Sequence, residues 1–150
     1  MHTLTVIPLR SAKRSGPVAD DEVMAIGSDV DIVTARQKGR AVARQLGFSS
    51  TDLTLIATAI SELARNIILY AQRGEIRLGI VQNGTEVGMQ MTASDTGPGI
   101  PNIKLALQGG YSTSGGLGLG LPGVRRLMDE MEIASAVGKG TTVTATKWKR

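Results

Sequence analysis

The chain of 150 residues contains no cysteine. That removes disulfides, thiolate nucleophiles and Cys-based zinc sites from consideration. There is one histidine, His2, and it stands at the chain end. Neither a His-built metal centre nor a Ser-His-Asp triad is therefore expected. Aromatic residues make up 3% of the sequence, too few for the stacking platforms that hold single-stranded nucleic acid. No uninterrupted apolar run reaches the roughly 18 residues that cross a bilayer. The N-terminus lacks the long apolar stretch and small-residue cleavage site of a signal peptide. These absences lead to the expectation of a soluble cytoplasmic protein, one domain with a sizeable core.

The net charge is +4. Basic residues gather at the two ends: Arg10, Lys13 and Arg14, then Lys147, Lys149 and Arg150. Such a balance admits nucleic acid, an anionic nucleotide or an acidic protein partner, but solvated termini explain it as well. With no base-reading motif in the chain, no nucleic-acid partner is expected, and no membrane partner either. Glycine is the unusual component, at 19 residues, bunched between Gly97 and Gly123.

Residues 2–9 admit a strand, and residues 10–21 read as a linker. EVMAIG, residues 22–27, reads as a short strand. Ser28 or Asp29 then caps a helix whose face is Ile32, Ala35, Gly39, Val42 and Leu46, and Gly47 ends it. The segment SSTD opens a second helix with an apolar stripe of Ile56, Ala59, Ile60, Leu63, Ile67 and Ala71. Alternation at Ile76, Leu78 and Ile80, a turn at Asn83-Gly84, and alternation at Val87, Met89, Met91 and Ala93 form a hairpin. Asp95 continues the inward register of the second strand. Residues 96–120 are a long Gly- and Ser-rich loop, of the kind that is functional or disordered in a compact domain. Pro122 opens a helix with the face Val124, Leu127, Met128 and Met131. Residues 132–137 and 141–148 are two more strands. Antiparallel hairpins mixed with helices point to an α+β sandwich, helices covering one face of a sheet.

Polar chemistry concentrates in three places. Glu62 and Asn66 are four apart on the second helix, beside its apolar stripe, with Thr58 one turn earlier. A carboxylate there can accept a proton, and an amide oxygen can ligate a hard cation such as Mg²⁺. Alone, the pair reads first as a solvated helix pair. Asp95 opens DTGPGI, where an inward carboxylate needs a donor such as a ligand amine. Gly97 and Gly99 let the chain turn closely around it, although plain turn chemistry explains the same residues. Finally, YSTSGGLGLGLPG, residues 111–123, places glycines and hydroxyls just before a helix, where backbone N–H groups and the helix dipole favour phosphate. A P-loop is excluded, since G-x-x-x-x-G-K-[ST] is absent. G-x-G-x-x-G does occur at residues 118–123, but it follows a loop instead of a strand and lacks the later ribose-binding acid.

Taken in order, Glu62 to Asn66, DTGPG, GGLGLG and GKGTT resemble the N box, G1 box, G2 box and final Gly-x-Gly-Thr of the GHKL ATPase superfamily. That superfamily includes gyrase, Hsp90, MutL and histidine-kinase catalytic domains. No phospho-acceptor histidine or dimerisation helix pair precedes residue 28, which discounts a histidine kinase. Within the superfamily, DIVTARQKGRAVARQLGF, TAISELARNIILYA, STSGGLGLGLPGVRRLMDE and GKGTTVTATKW are similar to the serine/threonine switch kinases of the bacterial stressosome, whose nearest relatives are anti-sigma-factor kinases. This covers residues 22–150 and leaves residues 1–21 as an N-terminal extension.

The resemblance implies a two-layer α/β sandwich of the Bergerat type, its sheet mixed and mostly antiparallel. It implies an ATP- and Mg-dependent protein kinase acting as a partner switch. Such a kinase phosphorylates STAS-domain scaffold or antagonist proteins and, once released, activates a PP2C-type phosphatase. An ATP-gated binding module that sequesters a partner is the alternative. Glu62 is implied as general base, Asn66 as the Mg²⁺ ligand and Arg65 as a phosphate-positioning group. Asp95 is implied to accept from the adenine amino group, with Gly97 and Gly99 shaping the pocket and Thr141 approaching from the neighbouring strand. Residues 103–118 are the implied ATP lid, with Ser112, Thr113, Ser114, Gly115, Gly116, Leu117 and Gly118 on the phosphates. Ile100, Leu119 and Gly120 join them as ATP contacts. Relatives of the anti-sigma-factor type dimerise, so a homodimer is open.

Overall fold

In the computed structural model, the described residues are 5–8, 22–100 and 120–150. The elements follow as β1 (Thr5–Pro8), β2 (Glu22–Ile26), α1 (Asp29–Leu46), α2 (Ser50–Ala71), β3 (Gly74–Asn83), β4 (Glu86–Asp95), α3 (Gly120–Leu127), β5 (Glu130–Ala136) and β6 (Gly140–Trp148). The strands form one six-stranded sheet in the order β1-β5-β6-β4-β3-β2. Every described ladder is antiparallel, where the resemblance implied a mixed but mostly antiparallel sheet. The connections account for this. Hairpins join β3 to β4 and β5 to β6. Two successive helices separate β2 from β3, so the chain returns in the opposite direction.

Helix α1 starts at Ser28, where the Asp31 carboxylate reaches back to accept from the N–H groups of Gly27 (2.8 Å) and Ser28 (3.1 Å). These are donors that the helix itself cannot satisfy. Gly47 closes α1 at φ 88, a conformation glycine adopts without a Cβ penalty. The helix crosses α2 closely at Gly39, where a Cβ would collide with the Ile60 side chain. Helix α2 is capped by Ser49 Oγ, which accepts from Asp52 N at 3.2 Å. It ends at Gln72, a non-glycine residue at φ 70, at a cost of roughly 1–2 kcal/mol.

The core lies between the helices and one sheet face. Met24 and Ile26 of β2, Ile76 and Leu78 of β3, Met89 and Met91 of β4, and Val143 of β6 meet Ile32 and Ala35 of α1 and Ile56, Ile60, Leu63 and Ile67 of α2. Full burial of each large aliphatic side chain stabilises the fold by about 1.5–3 kcal/mol. By length and a mean hydropathy of 1.3, α2 resembles a membrane span. Its apolar stripe is instead the centre of this core.

Three local expectations shift. Residues 2–9 contain a strand, and it is Thr5–Pro8, paired with β5. The tight turn between β3 and β4 is Gly84-Thr85, one residue later than Asn83-Gly84, because Asn83 pairs with Glu86. Gly84 at φ 62 supplies the left-handed corner. Met131 belongs to β5, not to the last helix. The helix stops at Leu127 because Lys147 Nζ takes its carbonyl (3.0 Å), and Asp129 N already donates to the Thr146 carbonyl of β6 (2.9 Å).

Candidate active site

Helix α2 carries the site along one side. Glu62 is 4% exposed, an unusual setting for a carboxylate unless both oxygens are satisfied. They are. Oε1 accepts from Arg65 Nη1 at 2.7 Å, one turn along the same helix. Oε2 accepts from the backbone N–H of Gly120 at 3.0 Å. Gly120 is the first residue of α3, at φ 50, so Glu62 closes the N-terminus of a neighbouring helix. A negative charge there is complementary to the helix dipole. Asn66, one turn beyond Glu62, is half-buried, and its amide makes no side-chain hydrogen bond among the described residues.

The other end of the site is the β4 terminus. Asp95 stands opposite Thr141 of β6 in the ladder and opposite Gly74 of β3. Its Oδ1 accepts from Gly97 N at 2.9 Å, so the turn chemistry and the inward carboxylate are both present. Gly97 lies against the end of α2, where a Cβ would sit 2.6 Å from the Ala71 Cβ. Gly99, at φ 80, and Gly140, at φ 100, bring the turn and the β5–β6 hairpin together. A Cβ on Gly99 would strike the Ala136 carbonyl, and one on Gly140 the Asp95 carbonyl. Gly138 N donates to Pro98 O at 2.8 Å across the same contact.

Ser135 is the residue the sequence did not single out. It is 2% exposed. Its Oγ accepts from Ile100 N at 2.8 Å, lies 3.1 Å from the Gly140 carbonyl and 3.0 Å from Thr141 Oγ1. One hydroxyl thus ties the DTGPGI turn, the glycine hairpin and Thr141 together. The available signal was a small polar residue in the inward register of β5, on the same face as Met131 and Ile133.

Glu62, Arg65, Asn66 and Gly120 therefore cluster at one end, and Asp95, Gly97, Gly99, Ile100 and Thr141 at the other. Along α2, from Glu62 to Ala71, the separation is about 13 Å at a rise of about 1.5 Å per residue. A cavity of about 520 Å³ opens beside Asp95, lined by Ala25, Ile26, Gly27, Asp31, Arg73, Gly74, Glu75, Ser94, Asp95 and Thr96. None of Glu62, Arg65 or Asn66 lines it. The expected lid, residues 103–118, and with it Ser112, Thr113, Ser114, Gly115, Gly116, Leu117 and Gly118, lies outside the described residues, as does Leu119.

The site thus pairs a buried carboxylate at a helix N-terminus with a second carboxylate fixed at a glycine-rich strand end. Residues 51–150 match the family described as Histidine kinase-, DNA gyrase B-, and HSP90-like ATPase, and the chain belongs to that family. It is 52% identical over 131 residues to the serine/threonine-protein kinase RsbT of Bacillus subtilis (strain 168), covering 87% of this chain and 98% of that one. It is 31% identical over 120 residues to the anti-sigma F factor of Thermoanaerobacter sp. (strain X514), covering 76% and 82%. The anti-sigma F factor of Geobacillus stearothermophilus is 33% identical over 121 residues, covering 75% and 81%. Among solved structures, the RsbU and RsbW domains of Rv1364c from Mycobacterium tuberculosis share the fold at a TM-score of 0.59 and 18% identity. That match covers 88% of this chain and 33% of that longer one. The chain is thus an ATP-using enzyme that groups with the protein serine/threonine kinases, and its relatives include anti-sigma F factors.

Proposed function

We propose that this protein transfers the γ-phosphoryl group of ATP to a serine or threonine of a STAS-domain scaffold or antagonist protein in a stress-response partner switch. Once released from that scaffold, it activates a PP2C-type phosphatase. The observation that carries the reading is Glu62: a buried carboxylate in the middle of α2, accepting from the first N–H of α3. Glu62 is the general base. It takes the proton of the attacking hydroxyl, whose oxygen bonds to the γ-phosphorus, while the bond from that phosphorus to the β–γ bridging oxygen breaks and ADP leaves. Each Glu62 oxygen binds one donor, which leaves a lone pair for the proton. Asp95, held on one oxygen by Gly97, offers the other to the adenine amino group, with Thr141 beside it. Ser112 to Gly118, which lie outside the described residues, are the proposed phosphate contacts, with Leu119 and Gly120 as further ATP contacts. Phosphoryl transfer asks the protein mainly for such positioning and charge neutralisation.

Mg²⁺ fits the donor set. Among the described residues there is no cluster of three His, Cys, Asp or Glu side chains, but Mg²⁺ is ordinarily held by one or two protein oxygens, with phosphates and water completing the shell. The Asn66 amide, half-buried and without a side-chain hydrogen bond among the described residues, is the candidate ligand. The ion would neutralise charge on the phosphates.

Residues 22–150 form the kinase domain in this reading, residues 1–21 are an extension that lends β1 to the sheet edge, and the protein works in the cytoplasm. The anti-sigma F relatives favour a second reading, an ATP-gated module that sequesters a partner with little phosphotransfer. One experiment separates the two. The protein is incubated with Mg-[γ-³²P]ATP and the STAS-domain proteins encoded nearby, and the phosphosite is mapped by mass spectrometry. Glu62→Gln should bind Mg-ATP as the parent does and lose transfer. No transfer to any STAS protein by the parent would leave the sequestering module.

A further inference from the structure

We infer that Arg65 is a positioning residue for Glu62 and does not act as a phosphate ligand. The inference rests on the reading of Glu62 as general base. A glutamate carboxylate held through one oxygen can still rotate about its last bond. Glu62 is held through both, by donors from two elements: Arg65 Nη1 on α2 at 2.7 Å and Gly120 N on α3 at 3.0 Å. The plane of the carboxylate is therefore set by Arg65 and α3 together. The Arg65 contact is short, as charge-assisted bonds are.

Charge supports the same assignment. Among the described residues, Glu62 makes no ion pair or side-chain hydrogen bond beyond these two. A guanidinium that swung away to a phosphate would leave a carboxylate that is 4% exposed without its counter-ion. That is the costly way to break a buried pair. With Arg65 in place, the pair is neutral, so an anionic triphosphate can approach Glu62 without direct repulsion. The i, i+3 spacing makes this arrangement available within one helix turn. The side chain of Arg65 is 33% exposed, so its remaining N–H groups reach water.

A five-protein comparison tests the assignment: parent, Glu62→Gln, Arg65→Met, Arg65→Lys, and Glu62→Gln with Arg65→Met. Mg-ATP binding is measured by titration calorimetry, and transfer with the STAS acceptor found above. If Arg65 acts through Glu62, adding Arg65→Met to Glu62→Gln leaves the dissociation constant for Mg-ATP within about twofold. Arg65→Met alone should lower kcat by about tenfold or more, the scale of one hydrogen bond to a charge. Arg65→Lys should recover part of that loss, and Arg65→Met should lower the residual rate of Glu62→Gln no further. If Arg65 holds phosphate, Mg-ATP binding weakens about tenfold or more in the Glu62→Gln background as well, and the inference is overturned. Full transfer by Glu62→Gln would instead refute the base assignment, a different failure with a different signature.

Discussion

Glu62 of α2 accepts a hydrogen bond from the backbone N–H of Gly120, the first residue of α3, at 3.0 Å. The two are 58 positions apart, so the proposed base is also the cap of a helix remote from it in sequence. The far end of that helix is held as well, by Lys147 Nζ on the Leu127 carbonyl at 3.0 Å. An acid at the N-terminus and a cation at the C-terminus complement the dipole of α3 from outside the helix.

Glu62 substitutions should therefore separate by shape. Gln can keep an oxygen on Gly120 N while Arg65, partly exposed, turns to water. Ala removes the acceptor. Glu62→Ala is expected to speed amide exchange at Gly120 and Leu121 by about tenfold or more, since a hydrogen bond to a charged group contributes about 1.5–3 kcal/mol. Glu62→Gln should stay much closer to the parent. Hydrogen exchange followed by NMR reads this without any substrate, and equal protection in the two variants would count against the capping role.

Ser135 organises the opposite end of the site. Its Oγ takes the N–H of Ile100 at 2.8 Å and contacts Thr141 Oγ1 at 3.0 Å. Ser135→Ala removes an acceptor from a part-buried amide, at about 1–3 kcal/mol. It also removes one tie between the DTGPGI turn and the β5–β6 hairpin, leaving the bond from Gly138 N to Pro98 O. The expected result is Mg-ATP binding several-fold weaker than in the parent, measured by calorimetry, with the fold retained by circular dichroism. Unchanged binding would show that the turn holds its place without this hydroxyl.

The elements themselves were largely legible, because they rest on local periodicity. The stripe Ile56, Ile60, Leu63 and Ile67 is the buried side of α2, and the alternation through Met89, Met91 and Ala93 leads to Asp95 in the expected register. What local pattern left open was decided by distant partners. The Asn83-Gly84 signal fits two hairpin registers, and the Asn83–Glu86 pairing selects one. Met131 continues the spacing of Leu127 and Met128, but β6 draws the chain into a strand first. Spacing put Glu62 and Arg65 on the same helix. It did not reveal that the Glu62 carboxylate would be fixed from both sides, because one donor comes from α3. Ser135 likewise acquires its role only when three segments meet.

Gly140 should be intolerant of any side chain. It sits at φ 100, and a Cβ would run into the Asp95 carbonyl. Gly84, at φ 62, has nothing within 4 Å of the same position. Ala at Gly84 therefore incurs the conformational penalty alone, roughly 1–2 kcal/mol, whereas Ala at Gly140 adds a collision with backbone that cannot rotate aside. Urea unfolding should place Gly140→Ala at least about 1 kcal/mol below Gly84→Ala. Equal midpoints at equal m-values would mean that β4 and β6 can separate at this point without loss.

On the sheet face away from the helices, Trp148 and Glu130 form a second buried polar contact. Trp148 is 4% exposed and Glu130 7%, and the indole Nε1 donates to Glu130 Oε2 at 2.5 Å. The ring lies over Gly88, where a Cβ would come within 2.7 Å of it, so the glycine makes room for the indole. Trp148→Phe keeps an aromatic ring in place and removes the N–H from a buried carboxylate. A loss of about 1.5–3 kcal/mol is expected. Glu130→Gln, a neutral acceptor, should make the same Trp148→Phe change less costly by about 1 kcal/mol in a double-mutant cycle. Chemical denaturation followed by circular dichroism measures all four proteins, since the parent has a single Trp and fluorescence would be lost. Strict additivity would mean that the indole contributes by packing over Gly88 alone.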